Sequence, residues 1–192
     1  VTTTIRLGVT LLLLVSLAAT PYARAAGPLA GDLEIRSAFV VVEHGVLQLS
    51  AHIQYPVNER IRTALQEGVT VAFDLDVSIS RHRRLWFNAT ELEMTLRREL
   101  TYHAVTDRYL VRDEKNVEQE SFPTLEAALD KIGHVEDLPI IVQSQLHDDG
   151  PWEVAVRAGM RRGRMPDALR ALLFWTDDWH RISDWYTWMF TL

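Results

Sequence analysis

The chain has no cysteine in its 192 residues. That excludes disulfide staples, thiol redox chemistry and cysteine metal sites, so the fold must be held by its core. Glycine is scarce, and no glycine-rich loop follows a strand, which removes the phosphate cradle of nucleotide-binding folds. No serine stands in a nucleophile-elbow context. The histidines, at positions 44, 52, 82, 103, 134, 147 and 180, include no HxxxH pair and no HExxH. They therefore lack the usual spacing of a zinc site. A basic surplus is also missing: the formal charge is -6, which argues against general nucleic-acid binding.

The one long apolar run lies at the N-terminus. Arg6 precedes Leu7–Ala19, LGVTLLLLVSLAA, which carries no charge. Pro21 interrupts it, and Ala23-Arg24-Ala25 reads as a small-x-small cleavage site. These are the regions of a secretory signal peptide. The run is short of the roughly 20 apolar residues that a membrane span needs. Residues 1–25 are thus expected to be a signal peptide and residues 26–192 a single periplasmic β-rich domain. An uncleaved signal would instead leave the domain tethered to the membrane. Without Arg6 and Arg24, 18 basic residues face 26 acidic ones, a formal charge of -8.

From Leu33 onward the dominant hydrophobic period is two, the mark of half-buried strands. Leu33 and Ile35 open a strand that runs into Phe39-Val40-Val41-Val42, a stretch that reads as buried, and Glu43-His44-Gly45 reads as a hairpin turn. Leu47, Leu49, Ala51, Ile53 and Tyr55 alternate with polar residues. Val69, Val71, Phe73, Leu75, Val77 and Ile79 do the same. Asn58 can cap a short helix carrying Ile61, Ala64 and Leu65, and TLEAALDKIG after Pro123 reads as a second helix ending at Gly133. Pro166 would open a third, to about Phe174. In the strand of Leu92, Met94, Leu96, Leu100 and Tyr102, Arg98 interrupts the apolar face, which requires a bulge or a snorkelling arginine. WEVAVRAGM, Trp152 to Met160, alternates again. Crossover helices of parallel folds are missing. The expected fold is mainly β: an antiparallel β-sandwich or curved sheet with two or three short edge helices.

Few residues suggest chemistry. Asp74 and Asp76 point the same way from one strand, and Glu91, Glu93 and Glu99 share the polar face of the next. They could form an acid pair or a cation site. A solvated face balanced by Arg81, Arg83 and Arg97 is the plainer expectation. His147-Asp148-Asp149 and Asp177-Asp178-His180 lack the spacing of a calcium loop and read as a turn and a helix start. Arg157, Arg161, Arg162, Arg164 and Arg170 gather just ahead of an acidic aromatic tail. They could engage anionic lipid headgroups or an acidic partner, or pair internally with the Asp177–Asp184 segment.

That tail, WTDDWHRISDWYTWMF, holds Trp175, Trp179, Trp185 and Trp188. Trp175, Trp179 and Ile182 share a face if the segment is helical, and Ser183 can cap a further turn. Such a tail either folds back over one end of the core or leaves an aromatic rim for a partner. The candidate interaction surface is therefore Arg157, Arg161, Arg162, Arg164, Trp179, Trp185 and Trp188. No catalytic residue, metal ligand or cofactor site is expected.

The segments ELTYHAVTDRYLVRD, SFPTLEAALDKIG with the following LPI, and DDWHRISDWYTW, in that order, resemble the family catalogued as domain of unknown function 4390. The resemblance spans about residues 33–192. It implies a small exported protein of proteobacterial type, and a link to an envelope sensor kinase of nitrogen-regulation type. It supplies no catalytic residues. The matching positions, among them Tyr102, His103, Tyr109, Phe122, Pro123, Trp179, Ser183, Asp184, Trp185 and Trp188, read as structural. The expected function is a non-enzymatic periplasmic module that binds an envelope protein or sensor kinase. The alternative is a small-ligand or lipid-binding protein with a cavity between sheet and helices.

Overall fold

A computed structural model of the chain describes residues 32–81, 89–114, 118–146, 150–163 and 180–192. The expected signal peptide, the third helix at 166–174, Arg83, the acidic groups at 147–149 and 177–178, and Arg164, Arg170, Trp175 and Trp179 lie outside the described residues.

In chain order the elements are β1 (Glu34–Glu43), β2 (Val46–Gln54), α1 (Glu59–Gln66), β3 (Val71–Arg81), β4 (Ala89–His103), β5 (Arg108–Asp113), β6 (Gln119–Phe122), α2 (Leu125–Gly133), β7 (His134–Val142), β8 (Trp152–Arg162), β9 (His180–Ile182) and β10 (Tyr186–Phe190). They form two antiparallel sheets. The smaller has the order β1-β2-β7. The larger runs β10-β8-β3-β4-β5-β6, with β9 also paired to β8. Neither sheet closes on itself, and the fold is an antiparallel sandwich with two short helices.

The alternation that builds the strands also builds the core. Leu47, Leu49, Ala51 and Ile53 of β2 face Val71, Phe73, Leu75, Val77 and Ile79 of β3, and Trp152, Val154, Val156, Ala158 and Met160 of β8. All are buried in one contiguous cluster. The β1–β2 hairpin turns on His44 and Gly45, both at positive φ (51° and 75°), as a two-residue turn matched to strand twist requires. Phe39, Val41 and Val42, read from sequence as buried, are exposed instead. The reason is that β1 is an edge strand of the smaller sheet, and Phe39 and Val41 pair with Ser50 and Gln48 on its outer face.

The two helices cover the part of the larger sheet that the three-stranded sheet leaves open. Asn58 Oδ1 accepts from the Ile61 amide at 2.9 Å and starts α1 over β4. Thr124 Oγ1 accepts from the Ala127 amide at 3.1 Å and starts α2 against β5 and β6. The end of α2 runs so close to β2 that a Cβ on Gly133 would lie 2.2 Å from the Ile53 carbonyl oxygen. Only glycine fits there.

Arg98 meets the inward face of β4 without a bulge at its own position, since Phe73 and Arg98 stay in register. The irregularity in this pair lies further along, between Ile79 and Ser80. The Arg98 guanidinium donates to the carbonyls of Ile132 (3.0 Å), Lys131 (3.3 Å) and His134 (3.4 Å). Those carbonyls end α2, where the helix dipole favours a cation.

Candidate interaction surface

The outer face of the larger sheet is ordered by cross-strand ion pairs. Asp74 on β3 lies between Arg97 of β4 and Arg161 of β8. Arg97 Nε donates to its Oδ1 at 2.6 Å, and Arg161 Nε to its Oδ2 at 2.9 Å. Burial alone would raise the Asp74 pKa, but the hydrogen bonds from Arg97 and Arg161 outweigh it and hold the carboxyl below its ordinary value. One register step away, Asp76 Oδ1 accepts from the Thr95 hydroxyl at 2.8 Å, and Asp76 Oδ2 from Arg157 Nη2 at 2.9 Å. Glu99 pairs with Arg112 of β5.

Asp74, Asp76 and Glu99 are thus balanced across strands by Arg97, as expected, and also by Arg112, Arg157 and Arg161, while Arg83 lies outside the described residues. Arg157 and Arg161, for which pairing with the Asp177–Asp184 segment was one alternative, are paired with Asp76 and Asp74 of β3, while Asp177 and Asp178 lie outside the described residues. The register of β3 with β8 is the cause. Asp74 and Asp76 share the face of β3 from which Arg157 and Arg161 project on β8. Arg162, the last residue of β8, is half-buried opposite Val71.

From His180 the tail forms two short strands, β9 and β10, rather than helix, while Trp175 and Trp179 lie outside the described residues. Val156, Val154 and Trp152 of β8 align with Tyr186, Trp188 and Phe190 of β10, a period of two along the tail. Trp188 and Phe190 are half-buried against the core. Between β9 and β10 the ladder is bridged by Ser183. Its amide donates to the Ala158 carbonyl at 2.8 Å, and its Oγ accepts from the Ala158 amide at 3.0 Å. A hydroxyl that can both accept and donate is needed here, because Oγ also donates to the Asp184 carbonyl at 2.8 Å. Ser183 caps no turn; it keeps two short strands on one edge.

The bridge turns Trp185 out of the ladder and onto the outer face. The Arg157 guanidinium carbon sits 4.4 Å from the Trp185 ring centroid. That cation–π contact fixes the indole while 45% of the residue stays exposed. Ile182 (54%), Tyr186 (38%) and Met189 (47%) are exposed along the same edge. Beside Trp185 lies an open trough of about 430 Å³, lined by Asp76, Ser78, Glu93, Thr95, Arg157 and Trp185, with Val77 and Met94 in its floor.

Of the seven candidate residues, the structure brings Arg157 and Trp185 together. It places Arg161 and Arg162 further along β8, and Trp188 on the opposite, inward face. Tyr186 and Met189 were missed from sequence, and Ile182 and Glu93 were named there but not assigned to this surface. The alternation of Tyr186, Trp188 and Phe190 was the available signal for the strand. No group of three or more His, Asp or Glu side chains converges as a metal site among the described residues. His52 and His134 stack at 4.3 Å, with His134 Nδ1 against the Asp130 carbonyl. No described helix is long and apolar enough to cross a membrane.

Fold and surface together define an antiparallel β-sandwich with an aromatic edge. The chain belongs to the family described as Domain of unknown function (DUF4390), whose model matches residues 30–189. No curated protein and no solved structure matches it.

Proposed function

We propose that this protein is a non-enzymatic interaction module of the bacterial envelope, which binds another envelope protein through the edge formed by β9, Ser183–Trp185 and β10. The observation that carries this reading is the exposure of Ile182, Trp185, Tyr186 and Met189 in one short segment at the end of a sheet. β10 pairs only with β8 among the described residues, so no described strand takes up its second row of backbone donors and acceptors, the row that an added strand would use. Large apolar side chains beside an open edge are a liability unless a partner covers them. Trp and Tyr are also the residues that anchor interfaces most strongly.

An envelope sensor kinase, implied by the family resemblance, is the first partner to test. The experiment is in vivo crosslinking and affinity capture of the tagged full chain beside a Trp185→Ala variant of equal thermal stability. Direct binding of the purified chain to the kinase's periplasmic region is measured in parallel. Capture of one partner by the wild type, reduced about tenfold or more in the variant, supports the reading. Equal capture by both would move the contact elsewhere.

A further inference from the structure

The trough beside Trp185 has a charge and a shape that name the chemistry of what enters it. It exists because a cross-strand row of the outer face, Glu93–Ser78–Ala155–Thr187, holds two small residues at its centre. The neighbouring row, Thr95–Asp76–Arg157, is bulkier and tied by hydrogen bonds, and Trp185 stands over Arg157 as a wall. The resulting volume, about 430 Å³, is ample for one long side chain entering from above.

Two carboxylates, Asp76 and Glu93, line the trough against one guanidinium, Arg157. Asp76 is spent: both of its oxygens are engaged, one by Thr95 and one by Arg157. Glu93 is exposed and has no ion-pair or hydrogen-bond partner among the described residues. Glu153, two positions along β8 from Ala155 and opposite Ser80, is half-buried and likewise has no such partner among the described residues. Among the described lining residues an anion would meet net negative charge. A divalent cation would find a single free carboxylate in the lining, too few ligands for a site.

We infer that the trough receives an arginine side chain from an extended segment of the bound partner, with its guanidinium on Glu93 and its stem along the exposed part of Trp185. This rests on the interaction-module reading above. A guanidinium is flat and binds a carboxylate through two parallel N–H donors. An ammonium meets the same carboxylate only as a point charge. The trough is open along the face and adjoins the exposed tail edge at Trp185, so a chain that lies along that edge can drop a side chain into it.

The test is a titration of the purified chain with a blocked extended peptide of alternating arginine and alanine, followed by anisotropy of a dye on the peptide. Lysine and glutamate versions of the peptide are run beside it. The arginine peptide should bind, the lysine peptide more weakly and the glutamate peptide not at all. Glu93→Gln should weaken the arginine peptide about tenfold. Glu67→Gln, which makes the same charge change on the exposed end of α1, should leave it unchanged. Equal losses in the two variants would reduce the effect to net charge and overturn the inference, as would tight binding of the glutamate peptide. Association with phosphatidylglycerol vesicles in place of the peptide would overturn it in favour of a membrane surface. If Glu93→Gln leaves peptide binding intact while Trp185→Ala still abolishes partner capture, the trough assignment fails and the tail-edge contact stands.

Discussion

Ser183 and Ala158 are joined by two hydrogen bonds across the sheet, and the serine makes one of them with its side chain. This pair lets the tail leave the ladder at Trp185 and rejoin it at Tyr186. Ser183 is buried, so removing its hydroxyl leaves the Ala158 amide without its acceptor. Ser183→Ala is expected to cost about 1–2 kcal/mol. Amide exchange should rise through residues 180–190 before the rest of the larger sheet. Thermal denaturation combined with hydrogen exchange checks both.

Arg98 and the end of α2 set a second expectation. Arg98→Met keeps the aliphatic stem on the core and removes the donors to the Ile132, Lys131 and His134 carbonyls. A loss of about 1–3 kcal/mol is expected in urea unfolding, because three helix-terminal acceptors lose a charged partner.

Asp74 gives the fold a defined acid sensitivity. Its folded-state pKa lies below the ordinary value of 3.8, so the folded chain binds fewer protons there than the unfolded chain as pH falls. The stability it contributes is complete above that ordinary value and is lost as pH drops through the lowered one. Asp74→Asn should be less stable than wild type at neutral pH by about 1–3 kcal/mol. The gap should narrow below about pH 4. Unfolding free energies measured between neutral and strongly acidic pH test this sign directly.

The two tail tryptophans should separate. Trp188 is half-buried against the core and Trp185 is exposed on Arg157. Trp188→Ala is expected to lower stability by about 2–4 kcal/mol, somewhat less than a fully buried aromatic would. Trp185→Ala should cost about 1 kcal/mol or less, since it loses mainly one cation–π contact. Chemical denaturation of both variants decides the matter, and equal losses would mean that Trp185 is packed as Trp188 is.

Much of this architecture was legible in the sequence, because strand alternation and helix capping are local signals. Asn58 and Thr124 cap where their residue types predict, and Leu47 to Tyr55 and Val71 to Ile79 bury the faces that their alternation marks. Edge position was not legible. Phe39, Val41 and Val42 read as core because apolarity alone does not tell an edge strand from a central one. In the tail, spacings of three and four between tryptophans competed with the period-two series Tyr186, Trp188, Phe190. The pairing with β8 decided for strand. The ion-pair partners of Asp74 and Asp76 depended on the β3–β8 register, which joins residues more than eighty positions apart. No local signal carries that. Trp185 was identified from composition, whereas the trough beside it arises only when three strands are laid side by side.

The central claim is that the tail edge is the contact with another envelope protein. It is tested most directly by placing a photo-crosslinking amino acid at Met189 in living cells, with Glu67 at the C-terminal end of α1 as the control position. A discrete crosslinked species from Met189, absent from Glu67 and lost in the Trp185→Ala background, is the predicted result. No crosslink from Met189, or the same species from both positions, would contradict it.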